Sequence, residues 1–385
     1  MFFKRTIEAK LNELKKQFPI LALFGPRQSG KTTLVRTLFP HYKYINLESF
    51  EEQEFIQADP KGFMNRLKKE EGIILDEVQK TPSILSYLQL EVDEDQRPGR
   101  FILTGSQNIL LNQQLSQTLA GRVALLTLLP FSIEELRMAE KLPTTAFEAI
   151  FQGFYPRIYE RHLDPVVFIE SYMRTYVERD VRDIKHIGSL TEFQKFMRLC
   201  AGRIGQLLNL SSLATEAGIS FATVKAWLSV LEASYIIFLL QPHHVNFNKR
   251  LVKMPKLYFY DTALACNLLR VVNANDVYDH YLRGGLFESM VISDFLKKRY
   301  HRCLPPNVYF WRDKVGNEVD TILEEGKILA PVEIKSSSTL NSEMFDGLVK
   351  WSEIAKSSTK KGILVYAGNE AQDRSSGRAL SWQQL

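Results

Sequence analysis

Three groups of residues in this chain have types and spacings that could do chemistry. The first is Gly25, Pro26, Arg27, Gln28, Ser29, Gly30, Lys31 and Thr32, which fit GxxxxGK[ST]. Backbone N–H groups converge in such a loop, and the helix it opens turns its positive end toward a polyphosphate. Lys31 would reach the β- and γ-phosphates, the Thr32 hydroxyl would ligate Mg2+, and Thr33 follows in the first helical turn. The second group is Asp76 and Glu77, at the end of the apolar run that starts at Gly72. Asp76 would hold Mg2+ through water, and Glu77 would orient and activate the attacking water. A strand followed by a solvated acidic turn is the plain alternative. The third group is Asp320 with Glu333 and Lys335, joined by Glu288 upstream. An Asp with Glu-x-Lys makes a divalent-metal site whose lysine positions or activates water or stabilises charge on phosphorus. Charged residues on a wet sheet face are the alternative there.

These residues need elements to position them. Phe18–Phe24 (FPILALF) reads as a buried parallel strand, and Thr33–Leu38 continues as a helix until Pro40. Arg100–Thr104 reads as a further strand, so Thr104, Ser106 and Gln107 are candidates to contact the γ-phosphate or the water. A helix over Ile109–Ala120 stops at Gly121. Arg122 follows, just before the apolar strand Val123–Leu128. It is placed either to act on a neighbouring subunit's phosphate, which would require an oligomer, or as a plain surface arginine. Toward the C-terminus a helix from Leu286 carries Glu288, and Val308–Trp311, Glu318–Leu323 and Ala330–Lys335 read as strands. Side chains alternate along a strand, so Glu333 and Lys335 share a face and Asp320 on the neighbouring strand can converge with them.

The segments GPRQSGKTTL, ILDEVQK, FILTGSQN and LAGRVALLTLLPFS, in this order and spacing, resemble AAA+-type ATPases. More narrowly they are similar to a widespread group of bacterial and archaeal ATP-binding proteins that carry a C-terminal domain of uncharacterised function. GFYPRIY and YVERDVRDI carry the same resemblance further along the chain. It implies ATP and Mg2+ as ligands, ATP hydrolysis by a ring or smaller oligomer, and a helical lid from Phe131 to about Ile184. Arg179 or Arg182 would act in cis on the nucleotide, unless these are solubilising charges on a lid helix. Asp320, Glu333, Lys335 and Glu288 resemble the restriction-endonuclease-like PD-(D/E)xK fold, with Glu288 as the acid of its first helix.

Between these parts, Leu210–Leu231 reads as two short helices joined at Gly218, the spacing of a helix-turn-helix. Tyr235–Leu240 and Lys256–Tyr260 would be strands flanking a wing, and the segment between them bears Lys249, Arg250, Lys253 and Lys256 with no acids. A basic wing would touch phosphate rather than bases, although winged helices also dock proteins. Trp227 and Phe221 are expected in the core of this module.

The fold class expected is therefore α/β: a P-loop AAA+-type parallel sheet (1–130), a helical lid (131–190), a winged-helix module (191–260) and an α/β restriction-endonuclease-like domain (261–385). Apolar content of 45% and charged content of 24% are ordinary for a globular protein, and the net charge of +5 permits nucleic acid without demanding it. Cys200, Cys266 and Cys303 lie far apart, which argues against a zinc site or a disulfide framework and suits a reducing cytoplasm. The N-terminal segment, with Ile7, Leu11, Leu14 and Phe18 at helical spacing, reads as an amphipathic helix on the ATPase rather than a leader, and no membrane association is expected. The chain is expected to hydrolyse ATP as a homo-oligomer on DNA. An ATP-controlled nuclease, or a nucleotide switch that docks a protein partner, are the alternatives.

Overall fold

Ile20–Phe24 (β1) is buried at every position, as an all-apolar run requires of a strand covered on both faces. In the computed structural model, which describes residues 3–106, 118–177, 189–244, 252–355 and 362–385, four more strands join it. They are Lys43–Asn46 (β2), Ile73–Asp76 (β3), Phe101–Gly105 (β4) and Val123–Thr127 (β5), in the order β2-β3-β4-β1-β5. Every pairing is parallel. Alternate residues serve two cores. Ile20, Ala22 and Phe24 pack with Ile73, Leu75 and Leu103, whereas Leu21 and Leu23 pack with Ile102, Leu34 and Val35. The N-terminal helix Glu8–Leu14 joins the second core through Leu11, next to Ile7.

This sheet forms a compact unit of Met1–Pro130 with Ala233–Tyr235 and Lys298–Leu304. Because all its strands run one way, Gly25, Glu77 and Ser106 emerge together at the carboxyl edge, where ligands of open parallel sheets bind. Arg122 emerges at the opposite edge, since Val123 pairs with Ile20 at the start of β1.

The second unit comprises Phe131–Glu232, Ile236–Lys297 and Pro305–Leu385. Ser132 and Thr145 open two short helices, Ile133–Met138 and Ala146–Gln152, through capping boxes. Pro156–Arg161 and Pro165–Tyr172 each begin on a proline whose fixed φ suits the first helical turn. Arg179 and Arg182 lie outside the described residues, as does Gln107.

Three helices follow, Leu190–Ala201, Leu210–Ala217 and Phe221–Ala233. The second ends at Gly218 with φ +76°, a left-handed C-cap conformation. Trp227 is core, edge-on to Phe193 and Phe196. Phe221 is not: it shares a face with Val224 and Leu228 but is the first residue of the helix, one turn short of where that face is covered, and stays 45% exposed. Ile237–Leu240 (β6) and Lys256–Phe259 (β7) then form an antiparallel hairpin. Residues 245–251 of the basic run are outside the described residues. Its flanks lie along Val308–Arg312 (β8): His243 N donates to Phe310 O at 2.7 Å and Val252 N to Arg312 O at 3.0 Å. The described part of this run is therefore bound to a sheet edge.

After the helix Arg283–His301, β8, Glu318–Glu325 (β9) and Ile328–Lys335 (β10) pair as an antiparallel meander. The helix Asp346–Ala355 leads to Ile363–Tyr366 (β11), which pairs parallel to β10. Gln372–Arg374 (β12) and Gly377–Ser381 (β13) complete the order β12-β13-β11-β10-β9-β8. Among the described residues no helix is long and apolar enough to cross a membrane. Cys200 and Cys266 are buried, Cys303 is exposed, and none is disulfide-bonded.

Candidate functional site

The loop after β1 has the backbone of an anion cradle. Gln28 and Gly30 both take positive φ, 62° and 92°, and Gly30 caps the helix Lys31–Leu38. A Cβ on Gly25 would stand 2.0 Å from Leu128 O, so only glycine fits. The Ser29 hydroxyl is buried and has no hydrogen-bond partner among the described residues. Lys31 Nζ donates to Gly25 O at 3.0 Å and Pro26 O at 2.8 Å. Arg27 lies 3.7 Å from Glu48. Thr33 is exposed on the helix surface.

Next to the loop, Asp76 is 4% exposed and collects three hydroxyl donors. Thr32 Oγ1 reaches its oxygens at 2.9 and 3.1 Å, Tyr44 OH at 2.7 Å, and Thr104 Oγ1 also donates. Burial and the Asp76 carboxylate raise the Tyr44 pKa, which keeps the phenol a donor. Strand order explains the convergence: Leu75 pairs with Leu103 and Asn46 with Asp76, so Thr104 and Tyr44 flank the acid. Glu77 sits in the left-handed region, φ 59° and ψ 46°, a strained placement for a non-glycine residue. Gln79 Nε2 donates to Glu77 and, at 2.8 Å, to Ser106 Oγ, which ties the two candidates together. The donor set suits Mg-nucleotide: a cradle of amides, one ammonium, one hydroxyl and one carboxylate. Thr32 and Asp76 are the residues that would hold the metal.

Arg122 is not part of this group. It pairs with Asp93, Nη2 to Oδ2 at 3.0 Å, at the far edge of the sheet. A five-residue strand separates the edges by about 16 Å, so Arg122 cannot serve its own chain's loop. Tyr44, Gln79 and Arg5, which donates to Ser29 O at 2.9 Å, escaped the sequence reading. Gln79 lies within ILDEVQK but was assigned no role there; Tyr44 and Arg5 carry no motif and arrive through folding.

In the second unit, Asp320, Glu333 and Lys335 come together. Lys335 Nζ donates to Glu333 Oε2 at 2.6 Å and to Asp320 Oδ2 at 3.2 Å, and Ile334 N donates to Asp320 Oδ2 at 2.9 Å. Gly347 allows the following helix to approach, because a Cβ there would lie 2.2 Å from Glu333 Oε1. Burial and the neighbouring Asp320 push Glu333 up to about 8, and the same causes push Glu288 up to about 7. Burial opposes ionisation of Asp320 as well, but Lys335 and Lys256 overcome it and hold Asp320 below its ordinary value. Three acids in one buried place thus share fewer charges than three.

Glu288 departs from the expected ligand set. Among the described residues no group of three His, Cys, Asp or Glu side chains is placed to hold a metal ion. Glu288 instead accepts from Tyr258 OH at 2.8 Å and lies 3.9 Å from Lys256 Nζ. Lys256, read from sequence as a wing charge, is 4% exposed and bonded to Glu318, which also pairs with Arg312 at 2.9 Å. Strand alternation could have placed Lys256 and Tyr258 on one face, but nothing local says which face meets the acids.

Residues 17–137 match the family described as an AAA domain, and most of them lie in the first unit. Residues 144–275 and 283–385 match two families described as domains of unknown function, DUF8612 and DUF4143. An uncharacterized protein of Mycobacterium tuberculosis (strain H37Rv) is 27% identical over 87% of this chain and 74% of its own length. One from Haemophilus influenzae is 22% identical over 73% of this chain and 75% of its own. Among solved structures, a Walker-type ATPase of Pyrococcus abyssi aligns with a TM-score of 0.47 and 18% identity, over 70% of this chain and 96% of that one. A RuvB variant of Thermotoga maritima aligns with a TM-score of 0.33 and 17% identity, over 60% and 88%.

Proposed function

We propose that the chain binds Mg-ATP at Gly25–Thr32 and hydrolyses it, with Asp76 on the metal and Glu77 activating water. The observation that carries this reading is the contact of Thr32 with Asp76 beside Lys31, Glu77 and Ser106 at one sheet edge. Bound Mg2+ would neutralise charge on the transferred phosphoryl group. Lys31 holds the phosphates, Gln79 orients Glu77 and Ser106, and Ser106 stands where the water or γ-phosphate would lie. Arg122 acts on a neighbouring subunit, because it faces away from its own loop and is 33% exposed. The output of this switch is work on DNA by a homo-oligomer, supported by the helix pair joined at Gly218 and by Lys249, Arg250 and Lys253 in the sequence beyond it.

The test measures ATP binding and turnover in the full chain, with and without duplex, branched and single-stranded DNA. Lys31→Ala should lose nucleotide binding, and Glu77→Gln should bind and trap ATP. Wild-type turnover in Glu77→Gln would remove Glu77 as the base. Normal turnover with no DNA binding at any salt would move the reading to a switch that docks a protein partner.

A second reading is favoured by the lysine bridge between Asp320 and Glu333. These two acids could hold one divalent ion, as Mg2+ commonly takes one or two carboxylates and fills its sphere with water. With Lys335 adjacent, that constellation suits phosphodiester cleavage under ATP control. Mg- or Mn-dependent cutting that disappears in Glu333→Ala and Lys335→Ala would support it; no cutting of any DNA form by the wild type would end it.

A further inference from the structure

We propose that Arg5 is a positioning residue of the phosphate-binding loop, holding its Ser29 side in the shape that receives nucleotide. The inference rests on the reading of Gly25–Thr32 as the ATP site. Arg5 precedes the N-terminal helix, is 4% exposed, and bridges two carbonyls distant in sequence. Nη1 donates to Ser29 O at 2.9 Å and Nη2 to Leu129 O at 2.8 Å. A guanidinium can do this because its donors leave a rigid plane as a fork, which an ammonium cannot imitate.

The same short segment, Leu128–Leu129, supports both ends of the loop. Leu128 N donates to Phe24 O at 2.7 Å, and Leu128 O is the atom against which Gly25 packs. Leu129 is itself held, its N–H donating to His301 Nε2 at 3.2 Å. Gly25 is therefore placed by close packing and Ser29 by the Arg5 bridge. The loop between them needs such support, since Gln28 at φ 62° adopts a backbone that a non-glycine residue seldom visits.

The two cations that touch loop carbonyls differ in what nucleotide does to them. Lys31, now bonded to Gly25 O and Pro26 O, is the ammonium a polyphosphate would draw away. Arg5 serves Ser29 O and Leu129 O, acceptors that cannot bond to phosphate oxygens, so its hold persists through binding. Nor is Arg5 needed to pack the N-terminal segment, because Ile7 and Leu11, both fully buried, do that. A guanidinium buried only for packing would be costlier than an apolar side chain.

The experiment titrates the full chain with fluorescent methylanthraniloyl-ATP and -ADP and measures kcat and KM. It compares wild type with Arg5→Met, Arg5→Lys and Leu11→Ala, each below its own thermal midpoint. Arg5→Met should weaken both nucleotides by about 10- to 100-fold, with the loss mainly in Kd and KM. Arg5→Lys, able to serve one carbonyl, should recover part of it. Leu11→Ala, which loosens the same segment, should lower the thermal midpoint and leave Kd unchanged. Wild-type Kd in Arg5→Met, or equal weakening in Leu11→Ala, overturns the proposal. If Arg5→Met does not fold, Arg5→Lys decides: intermediate Kd supports the role and unchanged Kd overturns it. Wild-type chain that binds no ATP overturns the ATP-site reading itself, and this inference with it.

Discussion

Raising the pH of the metal-free protein from 5 to 8 should destabilise its C-terminal part. Glu333 and Glu288 are pushed up to about 8 and about 7 by burial and by Asp320. Both values lie above the ordinary glutamate 4.5, so the folded chain keeps protons that the unfolded chain has released. The stability tied to them is full below that ordinary value and is lost as pH rises through about 7 and 8. Each such proton tilts stability by about 1.4 kcal/mol per pH unit. The two groups interact through Asp320, so one to two protons apply, and the fall from pH 5 to 8 is roughly 3–7 kcal/mol. Asp320 is held low and acts only under more acidic conditions. Asp261, raised by burial, acts in the same sense from its ordinary 3.8 upward, whereas His243, lowered by burial, opposes the fall below about its ordinary 6.5. Buried Cys200, raised to about 12 from 9, would add a slope of its own above pH 9, outside this range. Urea unfolding in EDTA, followed by tryptophan fluorescence, reads the region directly. Trp311, Trp351 and Trp382 are buried there, the first two edge-on at 5.3 Å. Glu333→Gln should flatten the slope by up to about 1.4 kcal/mol per pH unit. Equal slopes in the variant and the wild type, or stability that rises with pH, would refute the reasoning.

Other outcomes follow from the same geometry. Adding Mg2+ or Mn2+ at pH 8 should raise the unfolding midpoint of the wild type and not of Glu333→Gln, since a cation would replace the protons at this acid pair. Gly25→Ala, whose Cβ would stand 2.0 Å from Leu128 O, should abolish nucleotide binding measured by fluorescence titration. Arg122→Ala should bind ATP normally yet lose turnover by about 10³-fold or more, and mixing it with Lys31→Ala chains should restore part of the rate. Lys256→Met should destabilise the fold by about 3 kcal/mol at pH 8, read as a lower thermal midpoint, because buried Glu288 would lose its ammonium and Glu318 would keep only Arg312.

What could be read along the chain was whatever depends on near neighbours. A loop of eight residues makes its own cradle, and the apolar run before it and the helix after it are set by pattern and by Pro40. Asp76 and Glu77 follow a strand, and Glu333 and Lys335 share a face because side chains alternate. Those residues lie where their spacing put them. Packing decided the rest. Strand order, not spacing, brings Tyr44 and Thr104 onto Asp76 and sends Arg122 to the opposite edge. Lys256 looked like one charge among several in a basic run, but the hairpin lies against β8 and buries it beside Glu318. Phe221 looked like core, but it opens its helix one turn short of the covered stretch and stays exposed. Glu288, expected as a metal ligand, is bonded to Tyr258 from the β7 strand. Arg5 had no motif at all, and it reaches the first chemical group by one hydrogen bond to Ser29 O while a second holds Leu129 O. Backbone pattern propagates over one turn or one strand, so it specifies motifs; which distant side chain completes a motif depends on register and layer order, and these exist only once the chain has packed.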